Sequence, residues 1–185
     1  MQKEKDNKHR IGFMGSAGRG RKLPVELLEL ARHTGEEIAK NNCILITGAC
    51  MGTPQEAATG ARKYNGKVFG FSPASDLKQH TSPPIDYPVL PAGSDLIFTG
   101  MGKEGRIVLA IMNCDAVIFC AGSAGTLNEF ASAFQRGKVI GILKNSGGIT
   151  DELSVIADKI NKNTGAILLE DSDPSVLVRK VIEAL

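Results

Sequence analysis

Residues 115–129 read Asp-Ala-Val-Ile-Phe-Cys-Ala-Gly-Ser-Ala-Gly-Thr-Leu-Asn-Glu, and the residue types in this run are those of an anion site. A short apolar strand, 116–120, stops at a loop of small residues with Gly122, Ser123, Ala124 and Gly125. A helix then begins, with Thr126 in its first turn and Glu129 one turn further on. The free N–H groups of a helix start point outward, the helix dipole favours negative charge, and small residues let a phosphate approach the backbone. Glu129 is out of keeping with that site. A carboxylate there would repel a phosphate unless it faced another part of the ligand. It reads either as an acid complementing the helix dipole or as a carboxylate held beside a sugar.

The elements that must position this run follow from the rest of the chain. Its 185 residues suit one domain with a substantial core, 1–185, and 42% hydrophobic content is ordinary for a globular protein. A strand at 11–15 ends in the loop 16–20, and Pro24 opens an amphipathic helix that Asn41 and Asn42 break. Further strands are expected at 43–47, 67–71, 138–143 and 166–169, with helices at 53–63, 103–112, 151–160 and after Pro174. Residues 1–10 are expected to fray. Residues 72–95 carry five prolines and read as an irregular excursion with a short strand near 87–90.

Strands alternate with helices throughout, and the strands are continuous apolar runs rather than alternating ones. That pattern predicts an α/β fold: a doubly wound, Rossmann-like domain whose mainly parallel sheet is covered by helices on both faces. In such sheets ligands bind beyond the carboxyl ends of the strands. Three loops lie at those ends, 15–20, 47–53 and 121–125, and they are expected to converge on one crevice.

Composition narrows the partners. A formal net charge of +2 with interspersed signs gives no electrostatic case for nucleic acid or a membrane surface. No apolar run reaches the length of a membrane span or a signal peptide core. Cys43, Cys50, Cys114 and Cys120 show no C-x-x-C pairing, and His9, His33 and His80 have no ligand spacing, so the reading is a cytoplasmic protein without a metal site. Dinucleotide binding is disfavoured, because Gly15-Ser-Ala-Gly18-Arg-Gly20 does not match G-x-G-x-x-G. The second strand also ends in Thr47-Gly48, where an acid would meet the ribose. A P-loop is absent, and no lysine is evident for pyridoxal phosphate.

Thr47-Gly-Ala-Cys-Met-Gly52, Thr99-Gly-Met-Gly-Lys-Glu-Gly-Arg106 and Ala121-Gly-Ser-Ala-Gly-Thr-Leu-Asn-Glu129 together resemble the LOG (LONELY GUY) superfamily, whose members are often labelled lysine decarboxylases. The resemblance is closest to the molybdenum cofactor carrier branch. It implies one of two functions. The first is a phosphoribohydrolase that releases the base from a nucleoside 5′-monophosphate. The alternative is a carrier or sensor that holds a nucleotide or the molybdenum cofactor without turning it over. No cofactor is required for the first.

On the resemblance, Glu129 matches the catalytic glutamate, Arg106 the arginine of the hydrolases' arginine–lysine pair, and Gly125 and Thr126 the phosphate loop. The lysine of that pair is Ile107 here. The proline and second glycine of the P-G-G-x-G-T-x-x-E signature are Ala121 and Ser123.

N-glycosidic cleavage passes through an oxocarbenium-like state, which a carboxylate beside the ribose stabilises. Glu129 is expected in that role, with Arg106 holding the phosphate or locking Glu129. Gly15, Ser16, Gly48, Gly52, Thr99, Gly122, Ser123, Ala124, Gly125 and Thr126 are the expected ligand contacts. Glu56 is a second candidate carboxylate, against the commoner role of a residue at a helix start. Arg19 stands where it could close over a ligand, although a solvated loop arginine is the commoner case. Asp115 is expected to bond backbone at its turn. Residues 107–112 are apolar nearly all round, which together with the resemblance predicts a homodimer or higher oligomer.

Overall fold

In the computed structural model, which describes residues 8–18, 20 and 22–185, the apolar runs are strands and the amphipathic runs between them are helices. In chain order they are β1 (Arg10–Gly15), α1 (Val25–Lys40), β2 (Ile44–Thr47), α2 (Thr53–Lys63), β3 (Val68–Ser72), a one-turn α3 (Leu77–His80), β4 (Asp95–Phe98) and α4 (Gly102–Met112). The second half continues with β5 (Ala116–Cys120), α5 (Ala124–Gln135), β6 (Val139–Leu143), a 3₁₀ turn (Gly148–Glu152), α6 (Leu153–Ile160), β7 (Ile167–Asp171) and α7 (Pro174–Glu183). All seven strands are parallel, in the order β4-β3-β2-β1-β5-β6-β7. This is a doubly wound, Rossmann-like sheet whose winding reverses between β1 and β5.

The two faces of the sheet are packed by different helices. Ile11, Phe13, Leu45 and Ile118 lie on one face, with Ala31, Ile38, Ala57, Ala61, Leu177 and Val181 from α1, α2 and α7. Met14, Ile46, Val117 and Phe119 lie on the other, with Ile107, Ile111, Phe130, Phe134 and Leu153 from α4, α5 and α6. Alternate residues of one strand therefore serve opposite faces, and a continuous apolar run results. The Asp173 side chain accepts from the N–H groups of Ser175 (2.7 Å) and Val176 (3.2 Å) and, with Pro174, starts α7 where the sequence places it.

Two expectations are corrected here. Arg10 is not frayed: it opens β1, and its backbone N–H and guanidinium both bind Asp115 (2.7 and 2.9 Å). Residues 1–7 lie outside the described residues. No strand forms at 87–90, because Pro88 and Pro91 cannot donate to a ladder. The pairing strand is β4, immediately after the prolines. The excursion is instead pinned on buried His80, whose Nε2 lies 3.0 Å from the Pro88 carbonyl and whose Nδ1 lies 2.8 Å from Ser72 Oγ. A carbonyl only accepts, so Nε2 carries the proton and Nδ1 accepts from the serine. The Tyr87 N–H donates to the His80 carbonyl (2.8 Å), and the two rings meet edge to face.

Candidate functional site

At the carboxyl edge of the sheet, beside the β1–β5 reversal, a crevice of about 390 Å³ opens. It lies between the loops after β1 and β2, the first turns of α4 and the N-terminus of α5. Of the residues expected at a ligand, Gly15, Ser16 and Gly48 line one wall, and Arg106 and Glu129 the floor. Ser123, Ala124, Gly125 and Thr126 line the wall opposite. The three loops thus meet, as their positions at strand ends require.

The floor is an ion pair. Arg106 Nη1 donates to Glu129 Oε1 at 3.1 Å, and the two residues are only 6% and 5% exposed. Arg106 comes from α4 and Glu129 from α5, so the pair also ties the two helices together. Burial pushes the Glu129 carboxyl above its usual range, with the Arg106 charge opposing. Burial works against the Arg106 charge too, but the Glu129 carboxylate outweighs it and holds the guanidinium protonated. Arg106 Nε is buried without a hydrogen-bond partner. Among the described residues no hydrogen bond is recorded to Glu129 Oε2. Neither atom is bound by another described residue.

The α5 wall presents donors that no other described residue binds. The first bond inside the helix runs from the Leu127 N–H to the Ser123 carbonyl (2.9 Å), and the Ser123 side chain makes no capping bond. The N–H groups of residues 124–126 therefore have no carbonyl within the helix to bind. A side chain at Gly125 would meet no atom within 4 Å, which leaves the helix start open to the crevice.

The loop before α5 is held from beneath by a segment the sequence reading did not single out. The Ala121 N–H donates to Ser146 Oγ (2.8 Å), the Thr150 hydroxyl donates to the Ala121 carbonyl, and the Ile149 N–H donates to the Gly122 carbonyl (3.1 Å). The available signal was the Gly147-Gly148 pair after β6, a loop at another strand carboxyl end.

Other expected contacts lie off the crevice. Gly52 is in close approach to protein, since a Cβ there would lie 2.3 Å from the Ser16 carbonyl oxygen. Gly122, at φ 89°, makes room for Thr126, whose Oγ1 would lie 2.1 Å from an added Cβ. The Thr99 hydroxyl donates to the Ser72 carbonyl (2.8 Å) and shapes the turn into α4. Glu56 is taken up by Arg32 of α1, at 2.6 and 2.9 Å. Arg19 lies outside the described residues.

Cys50, Tyr87, Lys103 and Glu104 line the crevice without having been singled out. Burial pushes the Cys50 thiol up to about 11, so it is a protonated wall residue rather than a nucleophile. A larger hollow, about 1030 Å³, lies at the other end of the sheet, with Lys8, Arg10, Lys67, Arg136 and Lys138 around it. Cations there complement the carboxyl ends of the helices. Arg10 is spent on Asp115 and Lys138 on the Cys114 carbonyl (2.6 Å).

Comparison with known proteins agrees with the fold. The sequence model of the SLOG cluster4 family matches residues 8–178. A protein of Archaeoglobus fulgidus, described only as uncharacterized, is 31% identical over 136 residues, 72% of this chain and 79% of its own. Among solved structures, a structural genomics target, TM1055, superposes with a TM-score of 0.81 at 24% identity, over 96% of this chain and 99% of the other. The molybdenum cofactor binding protein from the phototrophic bacterium Rippkaea orientalis superposes with a TM-score of 0.74 at 26% identity, over the same shares.

Proposed function

The chain belongs to the SLOG cluster4 family, and from that premise we propose that its crevice binds a phosphorylated, nucleotide-like ligand and hydrolyses the N-glycosidic bond of a nucleoside 5′-monophosphate. The observation that carries this reading is the buried Arg106–Glu129 pair on the floor of a crevice whose wall is an uncapped helix start.

The ligand's phosphate sits against the N–H groups of Ala124, Gly125 and Thr126, where the dipole of α5 favours it. The ribose then lies over Glu129. Arg106 fixes Oε1, which leaves Oε2 to face C1′ and the attacking water. As the bond from C1′ to the base nitrogen breaks, positive charge grows on the sugar, and the nearby carboxylate lowers its energy. Water adds to C1′ and gives up a proton, the base leaves with the bonding pair and is protonated, and the products are free base and ribose 5-phosphate. Glu129 must be ionised for this. The rate therefore rises with pH through its pKa, which burial places above the ordinary value of 4.5.

A second reading is favoured by two observations. Ile107 stands where the resembling hydrolases have lysine, and a molybdenum cofactor binding protein shares the fold across nearly the whole chain. On that reading the same crevice holds a nucleotide or phosphorylated pterin and releases it unchanged.

The deciding experiment measures base release from a panel of purine and pyrimidine 5′-monophosphates, with native mass spectrometry of the purified protein alongside. Hydrolysis predicts turnover that falls about a hundred-fold or more in Glu129→Gln. If the wild type releases no more base than that variant while still holding a phosphorylated ligand, the carrier reading replaces the enzyme.

A further inference from the structure

We infer that Lys103 is the second cation of the phosphate subsite, holding the ligand's phosphate against the start of α5 from the α4 side. This rests on the ligand class proposed above and adds a residue and a charge requirement to it.

The charge count of the crevice calls for such a group. Arg106 and Glu129 cancel, since each is the other's buried partner. What remains for a phosphate monoester, which carries up to two negative charges, is the N-terminus of α5, worth roughly half a unit charge, and Glu104, which also lines the crevice, adds a negative charge of its own. Ile107 adds an apolar surface and no charge. Lys103 lies one turn before Ile107 on α4, and side chains four residues apart stack on one face of a helix. Lys103 therefore reaches the same crevice, which it lines.

Two features set it apart from a solvated surface lysine. It stands in the first turn of α4, where the helix dipole opposes a cation, and among the described residues it has no ion pair. Its ammonium is also near enough to Cys50, on the loop after β2, for its charge to bear on that buried thiol. A cation placed against its helix dipole without an acid to answer it is stabilised when an anion arrives. Glu104, the next residue, is an ordinary first-turn acid that complements the dipole.

The test is titration calorimetry of the full chain with adenosine and guanosine 5′-monophosphates, the matching nucleosides and inorganic phosphate. The variants are Lys103→Ala, Lys103→Arg and Lys103→Glu. Losing a charge-assisted contact should weaken monophosphate binding about ten- to a hundred-fold in Lys103→Ala. Arginine should restore most of it, and glutamate should weaken it further. Nucleoside binding and the melting temperature of the free protein should stay unchanged, because among the described residues Lys103 has no ion-pair partner. Monophosphate affinities equal to wild type in both the alanine and glutamate variants would overturn the inference and leave the proposed function standing. A wild type that binds none of the phosphorylated probes would remove both.

Discussion

Gly48 has no side chain because Arg106 occupies its place. A Cβ built on Gly48 would lie 2.3 to 2.6 Å from the guanidinium atoms Nη1, Cζ and Nη2, and the nearest of these donates to Glu129. A single methyl group would therefore displace the arginine and leave a carboxylate buried alone. Breaking a buried ion pair costs about 3–5 kcal/mol. Gly48→Ala should lose stability on that scale in denaturant unfolding, and it should lose ligand affinity as well. An alanine variant as stable as wild type would show that Arg106 has room to move that the packing does not suggest. Gly48 is expected at the ligand and does line the crevice, and its smallness also makes room for Arg106. Gly52 and Gly122 are similar, one yielding to the Ser16 carbonyl and the other to Thr126. Sequence marks where something must come close. It does not say whether that something is ligand or protein, because both demand the absence of the same Cβ.

Among the elements, the loop before α5 departs from the signature it resembles at its first position for a visible reason. Ala121 holds φ at 54°, which the ring of proline forbids, and its N–H, which proline lacks, is spent on Ser146 Oγ. The loop here is built from below, by Ser146 and Thr150, instead of being stiffened from within. Ser146→Ala should leave the buried Ala121 N–H without a partner, at about 1–3 kcal/mol. The loss should appear as faster amide exchange across 121–123 together with weaker binding of phosphate-bearing ligands. Unchanged exchange would mean that Thr150 and the Ile149 N–H suffice. This brace was illegible beforehand, since its two parts lie 25 residues apart and meet only when β6 pairs with β5.

Strands buried on both faces were easily read, with β5 placed as it stands. The edge strand β4 was not. Its four residues are half-exposed or exposed, follow a run of prolines, and lack the long apolar stretch that marks an interior strand.

For the molecule as a whole, the two-sided winding determines which surfaces can be left apolar. The sheet has two edges, β4 and β7, and α4 is the helix that packs beside β3 and carries Arg106 inward. Its inner face, with Ile107, Ala110 and Ile111, is buried, which leaves an outer stripe for solvent or a partner. That stripe is apolar: Met101, Val108 and Met112 are 55%, 40% and 57% exposed. Two turns separate the first pair and one turn the second, so all three share a face. Ile97 and Phe98 on the edge strand β4 are exposed as well. The all-round apolarity of this helix predicts an unburied face, and Met101, Val108 and Met112 form it. Large apolar side chains in a row are a feature of association surfaces, and a second copy of the chain offers the same stripe in a self-complementary, two-fold arrangement. We expect sedimentation velocity at micromolar concentration to give a dimer. Val108→Glu combined with Met112→Glu should convert it to a monomer, because neither charge can be buried in a paired interface without a partner. Both side chains lie outside the crevice lining, so the monomeric variant should keep its affinity for phosphorylated ligands if each crevice is complete within one chain. Should affinity fall together with the dimer, the second copy contributes to the site, and the crevice described here is half of a larger one.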